Sequence, residues 1–150
     1  MIGPRIRVAG LLVNGGRILL VRHEKDGRSY WLLPGGGVEE GEQLEDAVRR
    51  EFLEECGLTP TVVRGPIALA ETIPPDETIG GRHILHMIFA IETRPHEADH
   101  LVSHDEAVVG HAFVDRNRLR DLDLRPPIHE YLMQYRTGDP FVSLGRMWIS

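Results

Sequence analysis

Carboxylates pose the first chemical question. Glu45, Glu51, Glu54 and Glu55 crowd the stretch from Glu42 to Cys56, whose pattern predicts a helix. One helical turn separates Glu51 from Glu54 and Glu55, so the three share an edge. Like charges at that spacing repel and weaken a helix. A hard divalent cation, which favours carboxylate, water and phosphate oxygens, would hold them together. Gly35, Gly36 and Gly37 precede the helix, where glycine lets backbone pass close to such a site and present a carbonyl or an amide. Spacing alone also fits a solvated glutamate face, and both readings stay open at this point.

The elements that would position these groups follow from patterning. Residues 5–13 read as a strand, Asn14-Gly15-Gly16 as a hairpin turn and residues 17–23 as its partner. Glu24 to Ser29 reads as a polar loop, and Tyr30 to Leu33 as a short strand ended by Pro34. The helix over 42–56 carries Glu42, Glu45 and Asp46 in its first turn, complementing the helix dipole, and Gly57 as its left-handed stop. Leu44, Val48, Phe52 and Cys56 give it a buried stripe. Strands are predicted over 61–73, 82–93 and 108–114, with a closing helix over 128–136. The loop from Pro74 to Gly81 is too long for a tight turn and is a candidate ligand loop. The resulting order, β-β-β-α-β-β-β-α, predicts an α+β mixed sheet with helices packed on it.

Composition narrows the class. The chain has 150 residues, with 17 Lys+Arg against 23 Asp+Glu, a net charge of −6. That length predicts one domain over 1–150. The acidic balance argues against a protein that tracks long nucleic acids, but a bound cation can still draw in a small anion. Cys56 is the single cysteine, which excludes an intrachain disulfide. No apolar run has the length of a membrane span. A cytoplasmic protein is the expectation.

From Gly36 to Leu58 the chain reads GGVEEGEQLEDAVRREFLEECGL. This resembles the Nudix box, G-x5-E-x7-R-E-U-x-E-E-x-G-U, with U a bulky apolar residue. Gly36, Glu42, Arg50, Glu51, Phe52, Glu54, Glu55, Gly57 and Leu58 occupy its fixed positions without a gap. The flanking strands also resemble the Nudix α/β/α sandwich, with the box helix and a C-terminal helix packed on a mixed sheet.

The resemblance implies hydrolysis of a nucleoside diphosphate linked to another group, by water attack on phosphorus. It implies Mg²⁺, or Mn²⁺, held by Glu51, Glu54, Glu55 and a backbone carbonyl near Gly36. Arg50 and Glu42 would orient those carboxylates, with Gly57 as structural support. Glu54, Glu51 and Arg50 are thus the expected catalytic residues. Glu106, with Asp105 beside it, holds a place from which family members draw a general base; an exposed acidic loop is the other reading. Arg22, His23, Arg82 and Gly37 are candidate contacts to phosphate or ribose. ADP-ribose or a similar nucleotide sugar is the favoured substrate, because Pro74 lies sixteen residues past the box, as a proline does in some ADP-ribose-cleaving members. MutT-type hydrolysis of (8-oxo-d)NTPs is the alternative, and a non-hydrolytic nucleotide-sensing module is the alternative from another class. The implied partner is a small nucleotide, with no long nucleic acid and no membrane; a homodimer stays open.

Other residues attract attention and are discounted. His96, His100 and His104 have helical spacing, but Pro95 and the polar surroundings predict an irregular exposed loop. His83 and His86, three apart on a strand, point to opposite faces. Cys56 reads as a core thiol. Trp31 and Phe113 could stack on a base, although filling the core is the commoner task for an aromatic.

Overall fold

The computed structural model describes residues 3–76 and 81–148. Strands β1 (Arg5–Asn14) and β2 (Arg17–Lys25) meet at a tight turn whose two residues, Gly15 and Gly16, both have positive φ. Their pairing is brief, with Val13 opposite Ile18 and Asn14 opposite Arg17. Below that the strands part. β1 runs parallel to β6 (Ile84–Glu92), while β2 pairs with β3 (Arg28–Leu32) and β7 (Val108–Asp115). A side chain at Gly10 would strike the ring of Phe52 from helix α1 (Leu44–Cys56), so the glycine lets the helix press onto the sheet where the strands diverge.

Into that opening comes a short strand the pattern did not predict. β4 (Gly35–Gly37) pairs antiparallel with β1, setting Gly37 opposite Arg7 and Gly35 opposite Ala9. β5 (Val62–Thr72) and β8 (Val142–Met147) complete the sheet, in the order β3-β2-β1-β6-β5-β8, with β4 on β1 and β7 on β2. Parallel and antiparallel neighbours coexist, so the sheet is mixed, as expected. β8 was also unforeseen; its run contains Gly145 and carries no clean alternation.

Each face of the sheet has its own core. Val48, Phe52, Cys56 and Leu58 pack with Val8, Leu12, Leu19 and Val21 beneath α1. Leu132 of α2 (His129–Gln134) and Leu119 of a 3₁₀ turn (Arg116–Asp121) pack on the other face with Leu11, Leu20 and Ile88. Burying each such large side chain is worth about 1.5–3 kcal/mol. This helix–sheet–helix layering is the α+β sandwich that was predicted.

Some boundaries need correction. The region 24–29 is a hairpin rather than a loop, because Asp26 and Gly27 both adopt positive φ and turn β2 directly into β3. Glu42 lies outside α1, which starts at Leu44 after the N-cap Gln43. The C-terminal helix is shorter than 128–136 and is followed by β8. Glu77 to Gly80 of the candidate ligand loop lie outside the described residues. No helix among the described residues is long and apolar enough to cross a membrane.

Candidate active site

The turn before α1 builds one half of the site. The Glu39 N–H donates to Glu42 Oε1 at 3.1 Å, folding the Glu42 side chain back toward the helix. Arg50 then grips both oxygens of Glu42, with Nε to Oε2 at 2.8 Å and Nη2 to Oε1 at 2.9 Å. The same guanidinium donates to Glu51 Oε1 at 2.8 Å and to the Gly37 carbonyl at 3.1 Å, and reaches Glu54 Oε2 at 3.5 Å. Arg50 therefore ties the turn, β4 and the acidic edge of α1 together. Its fork holds the Glu42 carboxyl down at about 2, helped by the Glu39 amide. The pull is mutual, and the Glu42 hydrogen bond raises Arg50 above its ordinary value.

Two glutamates turn inward. Glu51 and Glu55 are buried although their side chains are acidic, at 7% and 1% exposure. Burial pushes Glu51 upward; the Arg50 hydrogen bond opposes that shift, and the charges of Glu55 and Glu54 add to it. Glu55 Oε1 accepts the Gly35 N–H at 2.6 Å, and its Oε2 stands 3.5 Å from His23 Nε2, a buried nitrogen with no hydrogen-bond partner among the described residues. Any side chain at Gly36 would collide with the Glu51 carboxylate, so only glycine leaves room beside it. Glu54 is half-exposed on the outer edge of the helix, where Arg50 reaches it. Glu45 pairs with Arg49 at 3.0 Å and stays out of the group.

These groups border a cavity of about 370 Å³ lined by Gly35–Gly37, Glu51, Glu55, Arg5, Arg7, His23, Tyr30 and Asp105, among others. Among the described residues no three carboxylate, imidazole or thiolate groups converge around one point, because Arg50 draws Glu51 and Glu54 toward itself and Gly35 holds Glu55. The donor set still suits a hard cation. Two buried carboxylates line a glycine-made hollow, Glu54 stands one turn from Glu51 on the same helix without lining it, and positive charge would offset the burial and the repulsion that raise Glu51.

The loop after β6 is welded to the end of this helix. The last four carbonyls of α1 would lack partners within the helix. Gly57 N–H takes that of Leu53 at 3.0 Å, His104 N–H that of Glu54 at 2.7 Å, and Val102 N–H that of Cys56 at 2.9 Å. His111 Nε2 donates to the Glu55 carbonyl at 2.6 Å. Gly57, at φ 70°, thus closes the helix as expected. The docked loop brings Asp105 to the cavity, whereas Glu106 is exposed and does not line it.

The structure thus gathers Gly36, Gly37, Glu51 and Glu55 with Arg50 and Glu42 behind them. Arg22 lies elsewhere: it alternates with His23 on β2, and its Nη2 reaches across β7 to the Val109 carbonyl at 3.4 Å. Arg82 is exposed and outside the cavity. His86 is buried, with Nε2 2.9 Å from Thr72 Oγ1, and burial drives it down to about 3. His96 is exposed and only caps a short 3₁₀ turn (Glu97–Asp99), which gives His96, His100 and His104 no common helical face. Cys56 is a core thiol, its pKa raised by burial. Arg5, Arg7 and Tyr30 at the cavity were missed. The available signal was two arginines alternating on the β1 face that continues as Ala9 and Leu11.

The NUDIX domain family model matches residues 3–135. Phosphatase NudJ of Escherichia coli K12 is 32% identical over 105 residues, 66% of this chain and 65% of that protein, so the chain spans just under two thirds of that relative's length. A NUDIX hydrolase from Nitrosomonas europaea superposes with a TM-score of 0.69 at 22% identity, covering 91% of this chain and all of the other. The NUDIX domain of Shewanella oneidensis NrtR, solved with ADP ribose, gives a TM-score of 0.69 at 17% identity, covering 89% of this chain and 86% of that one. Hydrolases of this family are pyrophosphohydrolases that cleave phosphorus-containing anhydrides and generally need a divalent metal. An uninterrupted box, the sandwich that displays it and a family match running through both establish that the chain belongs to the NUDIX family.

Proposed function

We propose that this chain hydrolyses the pyrophosphate bond of a nucleoside diphosphate linked to a second group, with Mg²⁺ (or Mn²⁺) as cation and ADP-ribose or a similar nucleotide sugar as substrate. The observation that carries the reading is the pair of buried carboxylates, Glu51 and Glu55, lining one glycine-floored cavity. Glu51, Glu54, Glu55 and the Gly36 carbonyl would hold the divalent cation, which would supply charge neutralisation for the phosphates and lower the pKa of a bound water. Arg50 and Glu42 orient the carboxylates. Glu106 or its neighbour Asp105 takes the proton of the attacking water, and the bridging P–O bond breaks as the new one forms. ADP ribose in the related NrtR domain supports the substrate choice. The 150 residues act as one cytoplasmic domain on a small nucleotide.

The test is turnover of purified protein with Mg²⁺ on ADP-ribose, 8-oxo-dGTP, dGTP, ADP-glucose and diadenosine tetraphosphate, with products separated by ion exchange. AMP plus ribose 5-phosphate is the expected result. Pyrophosphate released from the triphosphates alone would move the chain to MutT-type chemistry. Cation binding without any turnover would make it a nucleotide-sensing module.

A further inference from the structure

Two arginines enter the cavity without a carboxylate to hold them. Arg5 and Arg7 alternate along β1 and both line the hollow, so their guanidinium groups leave the strand on one face with their Cα atoms about 7 Å apart. Across the sheet Arg7 stands in register with Gly37 of β4 and His86 of β6, and Arg5 with Ile84. Among the described residues neither arginine lies within ion-pair distance of an acid, although Glu51 and Glu55 border the same cavity. Those acids are already engaged, Glu51 by Arg50 and Glu55 by the Gly35 amide. Arg7 is half-buried and spends one donor on the Leu33 carbonyl at 3.1 Å, leaving most of its fork unused. Burial lowers its pKa and the more distant Glu55 and Glu51 only partly offset this. His86, its neighbour in register, supplies no negative charge. A half-buried guanidinium without an anion is unfavourable, and the planar fork matches two phosphate oxygens.

We infer that Arg7, with Arg5 beside it at the rim, is the anion-binding wall of this cavity and holds a phosphate of the substrate. The inference rests on the hydrolase reading for the identity of the substrate but not for the anion. It assigns to Arg7 the contact that sequence reasoning gave to Arg22 and Arg82.

The experiment is calorimetric titration of the full chain with inorganic pyrophosphate in EDTA, repeated on R7K, R7M and R5M, with melting curves for each. Wild type is expected to bind. R7M is expected to bind at least tenfold more weakly, R7K to fall between them, and R5M to lose less than R7M. In turnover, R7M raises KM for ADP-ribose more than it lowers kcat. Pyrophosphate affinity in R7M equal to that of wild type would overturn the assignment, as would a wild type that binds none. If R7M proves unfolded, R7K decides: affinity unchanged there despite loss of the fork geometry overturns it. Binding that depends on Arg7 in a protein with no turnover would leave the assignment standing and overturn the hydrolase reading instead.

Discussion

The Gly35 amide donates to Glu55 Oε1 at 2.6 Å, joining residues twenty positions apart and pinning the glycine strand to the buried end of the acidic helix. The contact explains why β4 exists. Three glycines have little reason to form a strand, since they bring no side chains to pack. Here β1 pairs one edge of the segment, while Glu55 and Arg50 anchor it to α1.

Gly36→Ala tests this close approach. The added methyl would collide with the Glu51 carboxylate and push it from the cavity. We expect kcat/KM to fall at least tenfold, about 1.4 kcal/mol of transition-state stabilisation, with circular dichroism showing the fold retained. Activity within twofold of wild type would remove Glu51 from the site.

The pH dependence of stability reports on Glu42. Its carboxyl is lowered from 4.5 to about 2 in the folded chain by Arg50 and the Glu39 amide. The unfolded chain therefore binds more protons between those values, and stability rises with pH across that window. The contribution is complete above about 4.5 and disappears as pH falls through about 2. Urea titrations from pH 2 to 5 are expected to show a steeper rise for wild type than for Glu42→Gln.

Glu51 has the opposite sign. Burial raises its carboxyl in the folded chain, so the folded state binds more protons and stability falls as pH climbs past the unfolded value. Removing that charge as Glu51→Gln is expected to leave the melting temperature in EDTA equal to or above that of wild type. Activity is expected to drop at least a hundredfold, and the rise in melting temperature that Mg²⁺ gives wild type to shrink. A large loss of stability in EDTA would show that Glu51 is there for the fold.

Asp105 and Glu106 can be separated directly. Asp105 borders the cavity and is held by Ser103, whose Oγ accepts its N–H at 3.1 Å, while Glu106 is exposed. Asp105→Asn can still accept from the Ala107 amide, so the turn is expected to survive. We expect it to lower kcat more than Glu106→Gln does. The reverse order would return the proton-accepting role to Glu106.

Local chemistry made much of this protein legible in its sequence. The helix read over 42–56, found at 44–56, announced itself through its apolar stripe and Gly57, the first hairpin through its glycines, and the box through nine fixed positions on one short stretch. Those features depend on neighbours within a turn or two, so a linear reading reaches them. The Asp26-Gly27 hairpin is equally local, but its polar flanks read as a loop.

What tertiary structure alone decided lies between elements. Pairing with β1 makes Gly35–Gly37 a strand, and pairing with β5 does the same for Val142–Met147; neither segment carries its own period-2 signal. Likewise, only the packed sheet brings Arg7 of β1, His23 of β2 and Tyr30 of β3 to the box carboxylates, while Arg22, alternating with His23, is left outside. The sequence named the acids because their spacing is a property of one helix. The cavity's other walls come from separate strands, and only the packed sheet determines which of their side chains meet.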